Sequence, residues 1–348
     1  MMAMRKRQKF QPKMDLHVIP SDLLSVMMTF LGKRSLGNLQ EGDRRFRAIV
    51  FPVLVSRLSV SWSDIVTWPS TSPMLEFVRT MYVTVPTPLG QEITARLPNL
   101  QELRFNVSHC PRESLSDMCI EELLTCLPDG VTTLCFGNGF SMHHSLVNLP
   151  RNLQHLVFHR NFHRPLPDSL PIALKTLEVG HGFTHPLPPL PETLEKLVLM
   201  YSFNQPLPNP LPSNLKKLVL GYSFRHPLPL PLPETLETLV LGYHFNHPLV
   251  LPPNLKSLTT GDKFNHPMPE HFPPQVEVLC FRESFNQPLR NLPKKLVSLT
   301  IGEDFQHPLP VFPASCKSLT TDVSFTNFVE KPKFTKSHVV NKTAYFFR

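Results

Sequence analysis

The residues best suited by type and spacing to chemistry are histidines. His185, His226, His247, His266 and His307 each follow a phenylalanine by two positions, at intervals of one repeat unit. Stacked on successive rungs, such imidazoles would stand about 5 Å apart, a spacing at which neighbouring ring nitrogens could share a metal ion. Two features oppose a metal ladder. Gln205 and Gln287 take the same place in their own repeats, and no carboxylate accompanies each histidine to orient the ring. The column therefore reads as polar residues that face solvent or bond the backbone, and neither a metal nor a cofactor is expected.

Other constellations fail the same inspection. Cys110, Cys119, Cys126, Cys135, Cys280 and Cys316 contain no C-x-x-C pair and no zinc-like or disulfide-frame spacing, which fits reduced thiols. Gly137-Asn138-Gly139 lacks the remaining glycine and the helix of a phosphate loop. Nucleophile elbow, H-E-x-x-H and P-loop motifs are missing from the sequence. A non-enzymatic protein is expected.

The elements that carry these residues follow from a repeat. Phe140, Phe162, Phe183, Phe203, Phe224, Phe245, Phe264, Phe285, Phe305 and Phe325 recur every 19 to 22 residues, and a Pro-Leu or Pro-Met pair follows eight of the ten. Self-similarity at this period marks a solenoid. Leu215, Leu218 and Leu220 form an L-x-x-L-x-L run that ends in period-two alternation, the pattern of a short half-buried strand. Leu194, Leu197 and Leu199 match it in the preceding unit, as do Leu236, Leu239 and Leu241 in the next. One strand per repeat, stacked in parallel, would bury these leucines and the phenylalanines in continuous columns, each large side chain contributing about 1.5–3 kcal/mol. The sequence holds 39 Pro against 13 Gly. In the repeats the prolines fall on the return path, where fixed φ and a missing N–H suit an extended, unladdered chain.

These units resemble the FNIP repeat, a relative of the leucine-rich repeat, through Phe203-Asn204-Gln205-Pro206-Leu207, Phe245-Asn246-His247-Pro248-Leu249 and Phe285-Asn286-Gln287-Pro288-Leu289. Asn204, Asn246, Asn265 and Asn286 are expected to bond backbone groups of the turn. Phe325, followed by no Pro-Leu, reads as part of a capping rung. Before the clean repeats, residues 97–105 carry the leucine-rich strand pattern and residues 75–83 are a second candidate. Ser114 to Leu127 places apolar residues on one helical face.

Residues 17–55 differ from the array. Ser21 or Asp22 can cap a helix carrying Leu23, Leu24, Met27, Met28, Phe30 and Leu31. The stretch resembles an F-box in Ile19-Pro20, Leu23-Leu24, Phe30-Leu31 and Arg44-Arg45-Phe46-Arg47. An F-box joined to such an array resembles F-box and FNIP repeat proteins of amoebae and of their giant viruses. The expected fold class is therefore α+β: a small N-terminal helical F-box followed by a leucine-rich-repeat-like solenoid with one parallel strand per repeat. The expected divisions are a basic arm at 1–16, the F-box-like unit at 17–55, a degenerate leucine-rich region with one helix at 56–126, the solenoid at 127–326, and a cap with a basic tail at 327–348.

The resemblance implies the substrate-recognition subunit of an SCF-type ubiquitin ligase. Ile19, Pro20, Leu23, Leu24 and Met27 would dock on a Skp-type adaptor and through it on a cullin-RING ligase. A target protein would meet the strand positions that alternate with buried leucines: His155, Thr176, Lys196, Lys217, Thr238 and Ser257. The alternative is a scaffold or inhibitor that uses the same surface without ubiquitination. The formal charge of +8 raises a nucleic-acid reading, but the basic residues crowd the two ends, while Glu178, Glu192, Glu195, Glu234 and Glu237 lie among the lysines of the array. Mixed charge favours a protein ligand. With no apolar run of membrane-span length and no signal-peptide pattern, a cytoplasmic or nuclear location is expected.

Overall fold

The computed structural model describes residues 59–61, 78–83, 97–105, 124, 127–137, 146, 149–160 and 162–321. They form one sheet of thirteen parallel strands in strict chain order. The strands are β1 Ser59–Ser61, β2 Thr80–Val83, β3 Glu102–Phe105, β4 Thr133–Phe136, β5 His155–Phe158, β6 Thr176–Val179, β7 Lys196–Leu199, β8 Lys217–Leu220, β9 Thr238–Val240, β10 Ser257–Thr259, β11 Val278–Cys280, β12 Ser298–Ile301 and β13 Ser318–Thr321. Each pairs with the next without a crossover, the topology of a solenoid that adds one rung per repeat.

Alternation sets the register. Leu197, Leu218 and Leu239 are mutual partners in β7–β9, and the same column continues to Leu103 and Leu319. Every leucine of this column from Leu103 to Leu299 is fully buried. A one-residue slip would turn the whole column out to solvent, so the pattern fixes the pairing. Behind it runs a stack of phenylalanines from Phe162 to Phe305, with successive ring centroids 6.0–6.3 Å apart and planes within 17° of parallel. In the earlier rungs the ring sits on the strand itself, at Phe105, Phe136 and Phe158. Phe158 and Phe162, 3.9 Å apart, join the two stacks.

The prolines punctuate the return path. In rung after rung a proline carbonyl accepts the N–H of the residue three positions on, as in Pro212 with Leu215, Pro233 with Leu236 and Pro293 with Leu296. Proline loses no bond there, because only its C=O is required. Side chains close the remaining gaps between rungs. The Thr193 hydroxyl donates toward the carbonyls of Ile172 and Leu174, and Asn214 and Asn254 donate to those of Glu192 and Glu234.

The α+β expectation is corrected. Among the described residues the protein is an all-β parallel solenoid with essentially no helix; Leu124 alone is helical. The reason is that each rung offers one short period-two run between turns, too short for a helix and complete only when laddered to its neighbours. The sheet also includes β1–β3, ahead of the phenylalanine repeat. The F-box-like stretch at 17–55, with Ile19, Pro20, Leu23, Leu24 and Met27, lies outside the described residues, as do Phe140, Phe325 and nearly all of the helix expected at 114–127. Among the described residues no helix is long and apolar enough to cross a membrane.

Candidate functional site

Four parallel columns of side chains cross the outward face of the sheet. On the leading edge, Lys175, Glu195, Lys216, Glu237, Lys256 and Glu277 precede β6 to β11 and alternate in sign. Lys216 pairs with Glu195 at 2.8 Å and Lys256 with Glu237 at 2.9 Å. The lysine partner holds the Glu195 carboxyl below the usual carboxylate range and raises Lys216. This edge is therefore largely neutralised within the molecule, unlike a phosphate-binding face.

The second column holds the six residues expected from sequence. His155, Thr176, Lys196, Lys217, Thr238 and Ser257 are successive register partners on β5–β10, and all are half-buried or exposed. Two rows on, the third column carries Val157, Glu178, Val198, Val219 and Val240. Lys196 reaches across to Glu178 at 2.5 Å, so the only carboxylate among these five is paired.

The fourth column, on the trailing edge, was not signalled by the leucine and phenylalanine periods. His181, Tyr201, Tyr222 and Tyr243 stack face to face, with ring centroids 5.8, 4.7 and 4.6 Å apart. Lys263 lies over Tyr243, 5.6 Å from its centroid. Between valines and tyrosines run Gly221, Gly242 and Gly261. A Cβ on Gly242 would fall 1.7 Å from the Gly221 carbonyl oxygen, so close approach of the rungs requires glycine. Beside them lies a groove of about 630 Å³ lined by Arg160, His181, Tyr201, Tyr222, Tyr243 and Asp262 among others. Burial, with Arg160 adding to it, pushes the His181 imidazole below its ordinary value. Burial raises Asp262 against the opposing pull of Arg282, 3.8 Å away.

Four of the five repeated histidines are accounted for by backbone. His185, His226 and His266 place Nε2 at 3.0–3.2 Å from carbonyl oxygens of the preceding rung, and His247 at 2.6 Å. Gln205 donates to the Thr184 carbonyl at 3.0 Å from the same position. Histidine and glutamine interchange because both offer an N–H at that reach. The asparagines complement them: the side-chain oxygens of Asn204, Asn246, Asn265 and Asn286 each accept the backbone N–H of the residue after the next rung's phenylalanine. Cys135 and His159 approach at 3.6 Å. Burial pushes that thiol up, however, which is the wrong direction for an activated nucleophile.

Residues 144–182, 183–223, 203–244, 245–272 and 264–304 match the FNIP Repeat family. The chain carries FNIP repeats. The match covers the rungs of β5 to β12 and not the F-box-like stretch. Two solved structures share the FNIP array's solenoid fold. One is CroV588, described as a novel circular LRR protein, at 25% identity and TM-score 0.54, with 72% of this chain and 44% of that one covered. The other is YopM from Yersinia enterocolitica WA-314, at 25% identity and TM-score 0.50, with 71% and 54% covered. The chain thus spans about half the length of these structures. No curated protein sequence matches it.

Proposed function

We propose that the protein is a non-catalytic interaction scaffold that holds another protein against the outward face of its parallel sheet. The observation that carries this is the face itself: mixed polar residues in the His155–Ser257 column, an apolar valine row beside it, and a half-exposed aromatic edge. Aromatic and apolar positions framed by polar ones are the composition of protein-binding surfaces. The resemblance to a leucine-rich-repeat protein structure supports the same reading. Phosphate binding is disfavoured by the internally paired leading edge.

The test is charge reversal on that face, with partners from a cell extract captured on the full chain. The variant Lys196→Glu/Lys217→Glu should lose the captured proteins, whereas Ile172→Glu/Val250→Glu on the opposite, return side should keep them. Capture lost only through the return-side variant would contradict the assignment. The finer role, presenting the held protein to an SCF-type ubiquitin ligase, is supported by Ile19, Pro20, Leu23, Leu24 and Met27 in the sequence. A Skp-type adaptor should co-purify with the full chain and be lost with Leu23→Asp/Leu24→Asp. Without such binding the protein acts as a scaffold or inhibitor independent of ubiquitination.

A further inference from the structure

The trailing edge changes chemistry along the solenoid axis. Arg160, His181, Tyr201, Tyr222, Tyr243, Asp262 and Glu283 form one column, because the carbonyl of each accepts the N–H of the second residue of the following rung's equivalent pair: Arg160 from Gly182, Tyr201 from Ser223, Tyr243 from Lys263, Glu283 from Asp304. Glu303 continues it on the next rung. The column carries one arginine, Arg160, at one end, is aromatic over three rungs and is acidic at the other end. At the acidic end Asp262, Glu283, Glu303 and Asp304 face two cations, Lys263 and Arg282. Arg160, Glu283, Glu303 and Asp304 are exposed, and Tyr201 keeps 49% of its surface accessible.

We infer that this groove is the docking track for an extended segment of a partner protein that is acidic at the Arg160 end, apolar over the tyrosines and basic at the Asp262–Glu303 end. The inference rests on the protein-binding reading and names where on the face the partner lies and what it must carry. Gly221, Gly242 and Gly261 line the groove beside the rings. Rings stacked on one another present edges and hydroxyls, which suit aliphatic or proline side chains and peptide carbonyls. Their faces are taken, so nucleobase stacking of the kind that binds single strands is not available along the ladder. Seven rung steps of ~4.8 Å give a track of roughly 34 Å, which about ten residues of extended chain would fill.

The probe is a displayed library of random twelve-residue peptides selected on the full chain. Enriched sequences should share an acidic end, an apolar centre and a basic end. Tyr222→Ala/Tyr243→Ala should weaken them by about tenfold or more. The exposed variant Glu283→Lys/Glu303→Lys, which leaves the buried columns intact, should select for acidic residues at the formerly basic end. The proposal is overturned if no sequence is enriched, or if the enriched peptides keep their affinity for both groove variants. Affinity kept in those variants but lost in Lys196→Glu/Lys217→Glu would refute the groove and leave the strand-face reading standing. Affinity unaffected by any of the three would refute both.

Discussion

A histidine that repeats at a fixed place invites a metal, yet here its ring nitrogen meets a carbonyl of the rung before. His247 reaches the Arg225 carbonyl at 2.6 Å. The backbone-bonding reading was legible in the sequence because glutamine shares the position; the identity of the acceptor was not, since it belongs to a residue about one repeat away. His247→Gln should therefore unfold at nearly the wild-type denaturant concentration, and His247→Leu should lose about 1 kcal/mol in the same melt. Glu283 gives a prediction of opposite character. Burial, then the neighbouring Asp262, Glu303 and Asp304, raise its carboxyl, while Arg282 opposes them. The folded state thus binds this proton more tightly than the unfolded chain. The corresponding stability is full below the ordinary glutamate value and is lost as pH rises through the raised one. Wild type measured against Glu283→Gln across that range should show the variant gaining relative stability with rising pH. The difference isolates the site, because Glu192 and Glu195, shifted the other way, are common to both proteins and cancel.

Each rung is a strand, a phenylalanine and a proline turn, and the three respond differently to substitution. Phe224, fully buried between Phe203 and Phe245, should cost about 3–5 kcal/mol as Phe224→Ala. Lys217→Ala, one residue before the buried Leu218 on the same strand, should stay within about 0.5 kcal/mol. Gly242→Ala should cost about 1–3 kcal/mol, because the new methyl meets the backbone of Gly221 with no flexible side chain to yield. Chemical denaturation of the three variants ranks them. The parallel strand was legible from Leu215, Leu218 and Leu220, since period-two leucines can be buried only by stacking. The early rungs were harder to read because Phe105, Phe136 and Phe158 stand on the strand instead of after it. The helical component of the expected fold came from a segment outside the described residues, and within them the short rungs leave no room for one.

At the scale of the whole molecule the array is a stack whose two sides differ in chemistry. The return side holds the prolines and isolated exposed apolar residues such as Ile172, Val250 and Val311. The strand side presents ordered columns. The His155–Ser257 row was legible because alternation alone turns it outward. The tyrosine edge was not: Tyr201, Tyr222 and Tyr243 span only three rungs and give no array-wide period, and their continuity emerges only when stacking aligns them. Photo-crosslinking places the interface most directly. A benzophenone amino acid introduced singly at Val219 or Val240 on the strand side, and at Val250 or Val311 on the return side, should capture partner protein from the first pair and not from the second. Crosslinks confined to the return-side positions would contradict the account.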